Sequence, residues 1–409
     1  MSTHLLAAFG AGNVGRGFVG ELFEASGWKV VFVDVDIDLV RTLNSAASYL
    51  LETVSNAGTS RRTVEGIAAV HALDREAVDA LVTRADLVTT SVGARALPHV
   101  AGALASGLRA RWDAGGAALD VLLCENLHGA AGAFRDLLKE NSPPDLHERL
   151  DVQVGLAETS IGRMIPSTTG HTSGADPSRT LVRVEPYRIL PFDARALRGP
   201  LPQVECLEPV SDVDFTLYTD RKLFVHNLGH CVCAYLGDLH GTEFIWQSIA
   251  LPDVRHVTQA TMTESLAALA GAFGVTPLPL LEHSDDLLAR FSNRALRDTN
   301  ERVGRDPERK MAPGDRFLGA YALAVRTGAP RGFLSLATAL GAHRLAVEPG
   351  WNRRRALAHV WRCAREVGAT DEDISLLASQ TESLSHGWDW AEQMRLIDAS
   401  TSSSPPSSP

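Results

Sequence analysis

The sequence predicts an α/β protein: an N-terminal Rossmann-type, doubly wound parallel sheet followed by a mainly α-helical C-terminal domain. Three observations carry this. Short apolar runs alternate with longer amphipathic ones through the first half, the pattern of a parallel sheet covered by helices on both faces. A glycine-rich turn joins the first apolar run to the first amphipathic stretch. From about residue 211 the rhythm changes to long helical stretches punctuated by Gly and Pro.

Taken in order, LLAAF reads as a strand and 14–26 as a helix, KVVFVD as a strand and 37–47 as a helix. Between Ser48 and Leu73 the alternating stretch TVEGIAAVHAL suggests extra strands or a hairpin attached to the sheet. DLVTTSV and 95–110, then DVLLCEN and 128–139, continue the strand–helix alternation. Segment 165–210, with the strand-like LVRVEPYRIL, closes a first domain over 1–210. Helices are expected at 220–236, 256–273, 279–291, 315–326, 331–343, 352–366 and 386–397 in a second domain over 211–397, with the substrate in the cleft between the domains. Residues 398–409, rich in Ser and Pro, bury no apolar area and are expected to be a disordered tail.

Composition narrows the function. The 409 residues are 45% hydrophobic and 22% charged, as in a soluble protein with a sizeable core. A net charge of -10 argues against nonspecific nucleic-acid binding. The N-terminus has no basic segment leading into a long apolar stretch, and no run of about 18 apolar residues occurs, so a cytoplasmic protein without membrane association is expected. The cysteines, Cys124, Cys206, Cys231, Cys233 and Cys363, are odd in number and lack zinc spacing, so neither a disulfide framework nor a metal is expected. Monomer and homodimer both remain open.

The turn FGAGNVG places Gly10, Ala11, Gly12, Asn13, Val14 and Gly15 between strand and helix, with Asp34 ending the next strand. The first glycine permits the turn, the second lets a pyrophosphate approach the backbone, and the third lets helix and strand pack closely. Asp34 would bond the adenosine ribose and repel a 2′-phosphate, which favours NAD over NADP. Asp36 is its rival. Arg16 either touches phosphate or stabilises the packing. Ser91 and Val92, with Thr90, end a strand at the sheet edge where ligands gather. Asn126, ending the next strand, either donates to a reacting oxygen or caps the helix near 128.

The second constellation is Lys222, Asn227 and His230 in DRKLFVHNLGH. At about 100° per residue of α-helix, Asn227 lies ~140° and His230 ~80° from Lys222, so all three can face one cleft. An amine able to take a proton, an amide able to hold an oxygen and an imidazole able to bind a second hydroxyl suit the oxidation of an alcohol beside a nicotinamide.

With these runs in view, FGAGNVGRGF, DLVTTSVG, CEN, DRKLFVHNLGHCVCAYLG and ERVGRDPERKMAPGDR, the chain resembles the polyol-specific long-chain dehydrogenases, above all those acting on mannitol 1-phosphate, over nearly its whole length. The resemblance implies a metal-independent enzyme. In it Lys222 is the general base, its pKa lowered by burial and a neighbouring cation such as Arg221. Asn227 and Asn126 hold the oxyanion, and His230 orients an adjacent hydroxyl. One departure is SIGRMIP at 160–166: Gly162 stands where the family has an aspartate before Arg163. Glu158 is a candidate replacement for that carboxylate, and Arg163 a candidate substrate contact.

Segment 294–316 adds Arg294, Arg297, Arg302, Arg305, Arg309, Lys310 and Arg316 among five acids, Asp298, Glu301, Asp306, Glu308 and Asp315. Arg302, Arg305 and Lys310 are candidates for a phosphate clamp, against a solvated mixed-charge surface. The implied activity is NAD-dependent interconversion of mannitol 1-phosphate and fructose 6-phosphate. An unphosphorylated polyol or a sugar acid is the alternative substrate, and a non-catalytic NAD-binding protein the third reading.

Overall fold

The computed structural model describes residues 4–166 and 180–402. It divides into compact units Met1–Phe215 and Thr216–Pro409, a boundary slightly beyond residue 210. In the first unit the strands are β1 Leu5–Phe9, β2 Lys29–Asp34, β3 Ser48–Ser55, β4 Gly58–Glu65, β5 Ala68–His71, β6 Leu87–Thr90, β7 Leu119–Leu123, β8 Val154–Glu158, β9 Val182–Val184, β10 Leu190–Asp193 and β11 Leu207–Val210. Six of them form a parallel sheet in the order β5-β2-β1-β6-β7-β8. The order reverses between β1 and β6, and that reversal opens a crevice at the carboxyl ends of the strands.

Burial on both faces explains the apolar runs. Leu6 and Ala8 pack with Phe18, Leu22 and Phe32 on one side, while Ala7 and Phe9 pack with Val78, Leu104 and Phe134 on the other, the two-residue period of a strand. The irregular stretch after Ser48 is the antiparallel hairpin β3–β4, followed by β5 at the edge of the main sheet. The run LVRVEPYRIL is two strands, not one: β9 joins β3 and β10 pairs with β11. Pro186, between them, has no N–H to extend a ladder.

The second unit is helical. A rod runs from Thr216–Arg221 through Lys222–Asn227 into Leu228–Leu239, and its middle turn is a π-helix. Helices Pro252–Phe273, Leu278–Phe291, Arg316–Thr327 and Gly332–Leu345 follow, with Arg353–Glu366, Asp371–Ser385 and Trp390–Ser402 after them. The helix Asp371–Ser385 was not expected, although Thr370 and Asp373 form a capping box that marks its start. Residues 398–402, expected in the disordered tail, complete the last helix. Ile397 anchors it against Gly332, where a Cβ would come within 2.7 Å of Ile397 Cγ2. The remainder of the tail lies outside the described residues. No described helix is long and apolar enough to cross a membrane.

Candidate active site

The glycine turn has the geometry its spacing implies. Gly10 has φ 100° and so close a contact with Ser91 that a Cβ would lie 2.6 Å from the Ser91 carbonyl oxygen. At Gly15 a Cβ would lie 2.0 Å from the Gly10 carbonyl oxygen, so only glycine lets the chain enter the helix there. Gly12 differs: nothing stands within 4 Å of where its Cβ would be. The turn is tight behind and open in front, with Asn13 and Val14 half-buried beyond it.

Asp34 Oδ2 accepts from Ala11 N at 2.7 Å and Oδ1 from Asp36 N at 2.9 Å. Asp36 is spent on capping the next helix, through Asp38 N and Leu39 N. Of the two rivals, Asp34 is therefore the one that faces the turn. A cavity of 980 Å³ is lined by Gly10, Gly12, Asp34, Ser91 and Val92. Val35 and Leu73, 73% and 77% exposed, also line it and were not singled out from sequence. An open Gly12, a carboxylate at the end of β2 and exposed apolar side chains fit a dinucleotide. Glu125, passed over inside CEN, shapes the wall: its carboxylate accepts from Val92 N at 2.9 Å and Gly93 N at 2.7 Å.

Arg16 and Arg163 are supports for this turn. The helix that follows it winds as a π-helix over Gly15–Gly20, and such a turn displaces carbonyls from the ordinary i to i+4 ladder. Tyr49 Oη donates to Arg16 O at 2.6 Å, and Arg163 donates to Gly17 O at 2.9 Å and to the Glu21 carboxylate. Arg16 itself is buried and donates to Ala11 O at 2.6 Å and Thr180 O at 2.8 Å. The expectation of Arg163 as a substrate contact is thus corrected: its side chain is enclosed and ion-paired. Glu158 is likewise engaged, capping the helix Ala130–Glu140 through Ala131 N at 3.0 Å. Asn126 is exposed beyond β7. At Gly162 a Cβ would meet the Tyr187 ring at 3.1 Å, so Tyr187 fills space that a side chain there would need.

In the second unit Lys222 opens the π turn and Asn227 closes it. A π-helix bonds residue i to i+5, which turns these two positions toward one face of the rod. In an α-helix they would lie ~140° apart. Ser265 makes the turn tenable by donating to Phe224 O at 2.8 Å from the helix Pro252–Phe273. His230 lies one α-turn beyond Asn227 and is buried.

Around this rod, His230 stacks on Phe291 with centroids 4.7 Å apart, and His226 lies 6.1 Å from His230. Burial drives the His226 imidazole well below its ordinary pKa, with Arg290, His230, His283 and Lys222 adding to the effect. His283 is pushed down to about 2 by burial and then by Arg221 and Arg290. Both rings are therefore neutral acceptors or donors at physiological pH.

The basic segment after Arg294 is largely committed inward. Arg302 grips Asp298 with two bonds, 2.5 and 2.6 Å. Lys310 is buried and donates to Val303 O at 2.5 Å, closing the end of the helix Asn300–Gly304, and burial lowers its pKa. Arg294 covers Trp246, Arg309 pairs with Asp315, and Arg316 reaches Asp315 and Cys231. Arg305 is exposed, with a long bond to Arg302 O at 3.4 Å. A clamp built from Arg302, Arg305 and Lys310 together is not formed. Among the described residues no group of three His, Cys, Asp or Glu side chains could hold a metal ion.

A dinucleotide-binding unit joined to a helical unit that carries a lysine, an amide and a buried imidazole on one rod defines a nicotinamide-dependent oxidoreductase. The chain belongs to the mannitol dehydrogenase family, a family of NAD-dependent polyol dehydrogenases: the model of its Rossmann domain matches residues 6–205 and that of its C-terminal domain residues 214–344. A mannitol-1-phosphate 5-dehydrogenase of Brevibacillus brevis is 33% identical over 335 residues, 82% of this chain and 84% of that protein. Among solved structures, the Pseudomonas fluorescens mannitol 2-dehydrogenase ternary complex with NAD and D-mannitol is similar with a TM-score of 0.69 at 17% identity, covering 98% of this chain and 95% of that one. A substrate-free D-sorbitol dehydrogenase gives 0.72 at 17% identity, covering 97% and 92%. At these identities the two structures speak for the fold.

Proposed function

We propose that this enzyme interconverts a hexitol phosphate and a ketohexose phosphate, mannitol 1-phosphate and fructose 6-phosphate. The observation that carries the chemical part is the π turn that begins at Lys222 and ends at Asn227, whose i to i+5 winding turns the two positions toward one face of the rod. Lys222 takes the hydroxyl proton in oxidation and returns it in reduction. The Asn227 amide donates to the oxygen as charge builds there, and Asn126 is proposed for the same task. His230 binds a neighbouring hydroxyl and so fixes which carbon reacts. Bound NAD supplies the hydride acceptor, held by the Gly10–Gly15 turn, with Asp34 selecting against a 2′-phosphate.

The phosphate rests on the Brevibacillus relative and on Arg305, an exposed base of that segment with no carboxylate partner among the ion pairs of the described residues. A free polyol is the second reading, favoured by the commitment of Arg302 and Lys310 to internal partners. The test is NADH oxidation followed by absorbance, with fructose 6-phosphate and fructose each varied in concentration. Saturable turnover with the phosphate ester alone is expected. Turnover with fructose alone would replace this reading with the second, and silence with both would remove it.

A further inference from the structure

His230 points its buried Nε2 at the carboxylate of Asp298, with Nε2 3.2 Å from Oδ2. The angle falls short of a hydrogen bond, and a small rotation of the ring would close it, as catalytic contacts often tighten when substrate arrives. The carboxylate has nowhere to move. Arg302 holds both of its oxygens. Its backbone carbonyl accepts from Ile245 N at 2.9 Å, and Asn300 N donates to Glu243 O at 2.9 Å just beyond it. Thr299 caps the next helix through Arg302 N. The other degree of freedom of the imidazole is its plane, which Phe291 sets by stacking at an interplanar angle of 12°.

Asp298 is ionised here. Burial alone would raise its pKa, but His230 and then Arg302 outweigh that and hold it well below the usual carboxylate range. An ionised carboxylate only accepts hydrogen bonds, so the nitrogen facing it must carry the proton. In the neutral imidazole the other ring nitrogen then has a free lone pair.

We infer that Asp298 is a positioning residue: held by Arg302, it fixes His230 as the Nε2–H tautomer, so that Nδ1 accepts a hydrogen bond from a substrate hydroxyl. This rests on the proposal that His230 binds substrate. It gives the buried Asp298–Arg302 pair a task besides stability and makes hydroxyl donation a condition of substrate choice. A substrate analogue lacking that hydroxyl, or bearing an acceptor in its place, would lose the contact.

The test is a double-variant cycle with Asp298→Asn and His230→Gln, read as kcat/KM for the ketose with NADH. It is joined by two-bond 1H–15N spectra of histidine-labelled enzyme, with the His230 signals assigned by their loss in His230→Gln. In Asp298→Asn the single amide oxygen goes to Arg302, the amide N–H₂ faces Nε2, and the tautomer reverses, as an analogous Asp→Asn change does in serine proteases. The expected result is Nε2–H in the native enzyme and Nδ1–H in Asp298→Asn, with kcat/KM lowered about 10- to 100-fold. The double variant should be no worse than His230→Gln alone. Losses that add, an unchanged tautomer, or native kcat/KM in Asp298→Asn would overturn the assignment. Should Asp298→Asn fail to fold, an Nδ1–H tautomer in the native enzyme would do so by itself. Native turnover in His230→Gln would instead show that the reading of His230 has failed.

Discussion

Two π-helical turns, Gly15–Gly20 and Lys222–Asn227, stand at the two functional regions and use the same irregularity for opposite ends. In the first, every residue is buried and the useful surface is the open backbone at Gly12 just before it. In the second, Lys222 and Asn227 stay half-buried at its two ends. Each displaced ladder is repaired from outside. Tyr49 and Arg163 serve the cofactor turn, and Ser265 serves the catalytic one. A π turn leaves backbone groups that a neighbouring element must satisfy, so both turns are locked by tertiary structure rather than by local propensity.

That contrast can be broken by mutation. The largest effect belongs to Gly15→Val, which drives side-chain atoms into the Gly10 carbonyl. Thermal unfolding should show several kcal/mol of destabilisation, or no folded protein. Gly12→Ala should leave the melting temperature unchanged, since its Cβ meets nothing, yet weaken NADH binding about tenfold or more in fluorescence titration. Equal stability losses in the two variants would erase the distinction between the turn's packed and open sides.

Asp34→Ser removes the acceptor held by Ala11 N and Asp36 N. It should narrow the preference for NADH over NADPH by about tenfold in kcat/KM, by removing repulsion of a 2′-phosphate. An unchanged preference would move the selecting role elsewhere.

The smallest effect is a pH dependence confined to the catalytic region. His226 and His283 have folded pKa values below the ordinary 6.5. Their neutral forms therefore favour folding fully above 6.5, and that contribution is lost as pH falls below it, toward about 2 for His283. Urea unfolding at pH 7.5 and 5.5 should differ by about 1 kcal/mol less in His283→Gln than in the native chain. An identical pH slope would mean that His283 is solvated.

The cofactor region was legible because its chemistry is backbone chemistry. Gly10 and Gly15 are required by sterics, Gly12 leaves the front of the turn open, and Asp34 ends a strand, and all of these leave fixed spacings. The catalytic region was legible in its residues but not in its winding, because nothing in KLFVHN announces a π turn that depends on Ser265, far along the chain. The same limit hid Asp298 behind His230 and assigned Arg163, Arg302 and Lys310 to substrate. A basic side chain reads alike in sequence whether it meets a ligand or a buried carboxylate or carbonyl.

The account's central claim is that Lys222, on the same π turn as Asn227, performs the proton transfer. The most direct test is Lys222→Met, with NADH affinity measured by fluorescence titration and turnover by absorbance, using whichever ketose the native enzyme reduces. The account predicts native NADH affinity and a loss of kcat of about 1000-fold or more. A variant that binds NADH and keeps kcat within a few-fold of native would contradict it.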